Sequence, residues 1–144
     1  MMVHCPLMCG LLLLPLHVAL AQEPAVLRDL EPLIPVQLTA AELRELLPGA
    51  KLIRRLDNGN THIWTNEPDG TFIISSDNRS TTGRYASAPG KWNVTDDGRY
   101  CIRIEWRTTT DDWCRFVLRV SDDHYLVKAL KPGTEKVYPV RISK

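Results

Sequence analysis

Residues 99–107, Arg99-Tyr100-Cys101-Ile102-Arg103-Ile104-Glu105-Trp106-Arg107, alternate between polar and apolar side chains. Tyr100, Ile102, Ile104 and Trp106 fall on one side, and Arg99, Arg103, Glu105 and Arg107 fall on the other together with Cys101. Successive side chains of an extended strand point to opposite faces, so a period of two specifies a strand with one face on a core. The same period runs on both sides of this stretch. It places strands at 51–56, 61–66, 71–76, 90–95, 99–107, 113–121, 124–130 and 136–142. Between them lie turn-formers, among them Asp57-Asn58-Gly59-Asn60, Glu67-Pro68-Asp69-Gly70, Asp96-Asp97-Gly98 and Lys131-Pro132-Gly133. Asn and Asp tolerate left-handed backbone and Gly reaches it freely, so these short connectors imply consecutive antiparallel hairpins. Residues 77–89 are the exception and read as a long polar loop or irregular edge segment.

Alternation also assigns the core. Leu52, Leu56, Trp64, Phe72, Ile74, Trp92, Val94, Tyr100, Ile102, Ile104 and Trp106 come from the earlier strands, and Phe116, Leu118, Val120, Tyr125, Val127, Tyr138, Val140 and Ile142 from the later ones. Four Gly-x-aromatic steps, at Gly70–Phe72, Gly83–Tyr85, Gly90–Trp92 and Gly98–Tyr100, read as aromatic anchors of strands that a Gly turn has opened. Ahead of the strands, Thr39 and Glu42 form a capping box, and Leu43, Leu46 and Leu47 share one helical face before Pro48-Gly49 ends the helix. The expected fold is mainly β. It is an antiparallel meander forming a strongly curved sheet or small up-and-down barrel, with one short N-terminal helix packed on it.

Three segments follow from the N-terminal composition. Residues 7–20 carry no charge, contain Leu11-Leu12-Leu13-Leu14, and lead into Ala19-Leu20-Ala21. A short apolar core followed by small residues two apart is the pattern of a secretory signal, too short to span a bilayer. Residues 1–21 are therefore expected to be a signal peptide cleaved after Ala21, and the mature chain periplasmic or secreted, with no transmembrane segment. Residues 22–37, with Pro24, Pro32 and Pro35, read as an extended lead, and 38–144 as a single β-rich domain.

Cleavage would leave two of the four cysteines, Cys101 and Cys114. In an oxidising compartment they most simply form one disulfide, worth about 3 kcal/mol on a chain-entropy view of the loop it closes. The alternation pattern resists this pairing, because Cys101 lies with Arg103 and Glu105 while Cys114 lies with Phe116 and Leu118. A bulge in one strand, or a corner within 107–112, would reconcile the two faces. The alternative is two separate thiols.

Eighteen Lys and Arg against seventeen Asp and Glu leave a formal charge of +1, which gives no electrostatic case for nucleic acid. No G-x-S-x-G, H-E-x-x-H, C-x-x-C or phosphate-binding glycine loop occurs. His62 and His124 fall within strands and read as structural. The doublets Asp96-Asp97, Asp111-Asp112 and Asp122-Asp123 read as hairpin-end turn residues. No catalytic residue, metal ligand or cofactor is expected, and the chain is not expected to be an enzyme. The binding candidates are Arg103, Arg107, Arg115 and Arg119, which alternation brings onto neighbouring strands. Guanidinium groups bind phosphate and carboxylate bidentately.

With Gly90-Lys91-Trp92-Asn93-Val94, Asp97-Gly98-Arg99-Tyr100-Cys101 and Cys114 in place, the chain resembles the small secreted bacterial proteins catalogued as domain of unknown function 995. The shared pattern starts at the helix from Leu38 to Leu43. The resemblance implies an exported β-rich domain with paired cysteines and brings no catalytic residues. The expectation is a small exported binding protein without catalytic activity, for an anionic phospholipid, an acidic polysaccharide or another envelope amphiphile. The competing expectation is a structural or protein-interaction module of the envelope with no small-molecule ligand.

Overall fold

The computed structural model describes residues 22–144, so the expected signal segment and its cleavage point lie outside the described residues. From Lys51 onward the chain forms eight antiparallel strands in sequence order. They are β2 (Lys51–Arg55), β3 (Thr61–Thr65), β4 (Thr71–Ser76), β5 (Ala86–Val94), β6 (Arg99–Glu105), β7 (Thr110–Val120), β8 (Asp123–Val127) and β9 (Val137–Ser143). Each pairs with the next, and β9 returns to β2, with Leu52 opposite Ile142. The meander is thus a closed up-and-down barrel, which removes the sheet edges an open curved sheet would expose.

Side chains that point inward at alternate positions make the interior. Leu52, Trp64, Phe72, Ile74, Tyr100, Ile102 and Ile104 are buried as alternation requires, and Val117 and Leu126 join them. At its centre the Trp64 indole N–H donates to the Tyr100 hydroxyl (3.0 Å), which donates to Asn66 Oδ1 (2.8 Å). Burial holds the Tyr100 phenol well above its usual range, so it remains a neutral donor.

One end of this barrel is plugged. Helix α2 (Ala40–Leu46) begins at Thr39, whose hydroxyl accepts from the Glu42 N–H while the Glu42 carboxylate accepts from the Thr39 N–H. This is the expected capping box, and it aims Leu43 and Leu47 into the core. The helix lies over the end where β5 turns into β6, with Arg44 paired to Asp96 at 2.7 Å.

Residues 22–37 depart from an extended lead. Leu27–Leu30 form a single helical turn, α1, followed by a 3₁₀ turn at Glu31–Leu33 and the two-residue strand β1 (Val36–Gln37). The Asp29 carboxylate caps α1 by accepting from the N–H groups of Ala25 and Val26, which also holds its pKa low. The turn exists because it has somewhere to bury leucines. Leu27 and Leu30 pack on Leu118, Tyr125, Val127 and Val137 on the outer wall of the barrel, forming a second apolar cluster.

That strap resolves the cysteine conflict. Cys101 and Cys114 lie directly opposite one another in the β6–β7 ladder and form a disulfide, with no bulge or corner. The face shared by Cys114, Phe116 and Leu118 is apolar but faces outward, under the strap. Phe116, Leu118, Val120, Tyr125 and Val127 therefore belong to the outer cluster and not to the barrel interior expected for them. The inner face of β7 carries Trp113, Arg115 and Val117 instead. Asp111 and Asp112, expected at a hairpin end, lie within β7 opposite Ile104 and Arg103.

Strand β5 also starts earlier than expected, so Gly90 sits mid-strand rather than at a turn, opposite Phe72. The Phe72 ring occupies the space a Cβ at Gly90 would need, at 2.2 Å, and the Arg103 carbonyl lies at 2.9 Å. The Gly-x-aromatic steps share no single role, since Phe72 and Tyr100 are buried, Trp92 is half-buried and Tyr85 is exposed. Gly90→Ala is expected to destabilise the domain by about 1–3 kcal/mol through overpacking, measured by urea denaturation. A change within experimental error would show that Phe72 has room to move.

Candidate functional site

The end opposite α2 carries no helix. The β2–β3, β4–β5, β6–β7 and β8–β9 connections lie at this end, and a cavity of about 440 Å³ opens among the strands. Its lining combines Leu56, Ile74, Ile102 and Ile104 with Arg54, His62, Asp111, Trp113 and Arg115. The polar members get there by the same alternation that builds the core. Arg54 follows Leu52 inward, His62 pairs opposite Arg54 and precedes Trp64, and Arg115 lies between Trp113 and Val117.

Two arginines dominate the electrostatics. The Arg115 guanidinium lies 4.1 Å from the Tyr138 ring centre and 4.8 Å from that of Trp113. The Arg54 guanidinium lies 4.8 Å from the Tyr138 ring centre and 5.9 Å from the Trp113 ring centre. Aromatic faces attract cations and partly replace lost hydration without neutralising charge. Neither arginine forms an ion pair among the described residues, and Arg54 Nε and Arg115 Nη1 are buried without a hydrogen-bond partner. The nearby carboxylates are engaged elsewhere. Asp57 pairs with Lys136, Asp111 accepts from the Trp106 indole N–H at 2.9 Å, and Asp112 pairs with Arg103 at 3.4 Å.

The ionisation of the site reflects this arrangement. Burial, reinforced by the neighbouring Arg115 charge, pushes Arg54 down to about 10, and burial lowers Arg115 as well. Both stay protonated at neutral pH. His62 packs on Trp106, with ring centres 5.4 Å apart, and burial together with the Arg54 charge lowers its pKa. Its neutral ring adds a hydrogen-bonding group beside two fixed positive charges.

The four arginines singled out by alternation do not form one patch. Arg103 points outward and pairs with Glu105 and Asp112, and Arg107 is exposed in the β6–β7 turn. Arg119 lies by a shallow crevice near α2, with Leu38, Glu42 and His124. Arg115 alone enters the barrel, and its companion is Arg54, which the sequence reading did not select. The missed signal was a charged residue on core parity, Arg54 between Leu52 and Leu56. No group of three or more His, Cys, Asp or Glu is placed to hold a metal ion among the described residues.

Fold and site together define a small disulfide-linked β-barrel, plugged at one end and cationic at the other. A family model described as Protein of unknown function (DUF995) matches residues 18–114, and the chain belongs to that family. The matched span holds Arg54, His62 and both bridged cysteines, while Arg115 and Tyr138 lie beyond it. No curated protein and no solved structure shows a significant match to the chain.

An NMR pH titration is expected to give His62 a midpoint below its ordinary 6.5, moving upward in Arg54→Met. A midpoint at or above 6.5 in the unaltered chain would mean the site does not carry the positive potential described.

Proposed function

We propose that the chain is a non-catalytic binding protein of an extracytoplasmic compartment, taking an anionic group into the open barrel end between Arg54 and Arg115. The observation that carries this reading is the pair of half-buried guanidiniums, each with a buried N–H that has no hydrogen-bond partner, and neither within ion-pair distance of a carboxylate among the described residues. Buried charges in folded proteins are normally paired, and an unpaired charge costs stability. An incoming anion would supply the missing partner through charge-assisted hydrogen bonds. The disulfide is compatible with an oxidising compartment, and no described helix is long and apolar enough to cross a membrane. A cavity of about 440 Å³ lies within the range of small-molecule pockets. An anionic lipid would therefore enter by its head group, leaving its chains outside.

The test is an NMR titration with acetate, sulfate and inorganic phosphate. At least one anion is expected to shift the Arg54, Arg115 and His62 resonances and to raise the His62 midpoint. Arg54→Gln and Arg115→Gln should each weaken binding at least about tenfold, the cost of losing one charge-assisted hydrogen bond. Neither should lower stability by more than about 1 kcal/mol, since each removes an unpaired buried charge. Absence of shifts at the three residues, or unchanged affinity in both variants, would refute the reading.

A further inference from the structure

Resting on that reading, we infer that the bound anion is a phosphate monoester group carrying two negative charges. Two cations face one cavity, and both lie within 4.8 Å of the same Tyr138 ring centre. A single negative charge leaves one of them uncompensated, whereas a dianion answers both at once. The unpartnered buried donors, Arg54 Nε and Arg115 Nη1, come from two different strands, so the acceptor needs oxygens directed two ways. A planar carboxylate presents its two oxygens in one plane toward a single fork. A phosphate monoester presents three terminal oxygens in a tetrahedron, two for the arginines and a third for His62, and its remaining oxygen leads out to the rest of the molecule.

The carboxylates at the rim do not remove this preference. Asp111 and Asp112 are exposed and already bonded to Trp106 and Arg103. Water screens their repulsion, while the half-buried guanidiniums act across a drier interval. The rings of Trp106, Trp113 and Tyr138 are engaged with His62 and the two arginines, so they hold the binding groups and leave the remainder of the ligand unspecified.

Isothermal titration of the full mature chain at pH 7.5 with methyl phosphate and dimethyl phosphate tests this directly, since the two differ by one charge at nearly equal size. A monoester has its second pKa near about 6 and is dianionic there. Methyl phosphate is expected to bind at least about tenfold more tightly, the worth of one further charge-assisted contact. Arg115→Gln should bring the ratio close to one, and the discrimination in the unaltered chain requires no variant to fold. Equal binding of both esters at Arg54 and Arg115 would overturn the dianion inference and leave the anion-binding reading intact. Binding of neither would overturn both. Flotation with phosphatidylcholine vesicles containing phosphatidic acid then identifies the source of the group. Capture that methyl phosphate reverses assigns a lipid head group, and binding of methyl phosphate without capture assigns a soluble phosphomonoester.

Discussion

The direct opposition of Cys101 and Cys114 across β6 and β7 is the constraint on which the rest of the molecule depends. Strand β7 serves three neighbours. Its first part pairs with β6, its last part pairs with β8 to close the barrel, and Leu118 and Arg119 also hold β1. A one-residue slip would turn every side chain of the strand to the opposite face. Trp113, Arg115 and Val117 would leave the interior, and Phe116 and Leu118 would leave the cover of the strap. A covalent link at a directly opposed pair forbids that slip, so one bond protects both the outer apolar cluster and the cationic end.

The interior is divided along its length. An eight-stranded barrel has an interior that side chains just fill. Near α2 those side chains are apolar, and at the centre Trp64, Tyr100 and Asn66 Oδ1 form one hydrogen-bonded series. Toward the other end, Tyr100 meets Trp113 edge-on at 5.7 Å, and Trp113 in turn lies under the Arg115 guanidinium. The arginines are thus mounted on the core by a continuous series of rings. Aromatic support fixes their position and leaves an N–H of each without a hydrogen-bond partner, which a carboxylate support would not do.

Much of this was legible in the sequence because antiparallel hairpins write their period locally. The eight strands, the capping box at Thr39 and the core run Tyr100, Ile102 and Ile104 follow from spacing alone. The orientation of β7 did not, because period two states which residues share a face and not which face is inside. Where Leu27 and Leu30 cover the outer wall, Phe116 and Leu118 are as apolar as any core pair, and the choice depends on a segment far away in the chain. The site was hidden for a related reason. Arg54 and Arg115 come together through barrel closure, across a separation no local pattern spans, whereas Arg103 and Arg119 share an alternation pattern yet end on an outer wall and beside α2.

The contrast between Arg103 and Arg115 shows what separates a surface arginine from a site arginine. Both lie on the β6–β7 hairpin, within reach of a strand that carries Asp111 and Asp112. Arg103 takes Asp112, and Asp111 is occupied by an indole N–H. Arg115 and Arg54 keep aromatic company and have no carboxylate within ion-pair distance among the described residues. Folding does not require this, because a buried charge left without a partner costs stability. An arrangement that raises the free energy of the folded chain, in a cavity of molecular size, is relieved when an anion enters. Ligand binding and the repair of an internal electrostatic defect are then the same event, which ties affinity at this end of the barrel to the stability given up by leaving it open.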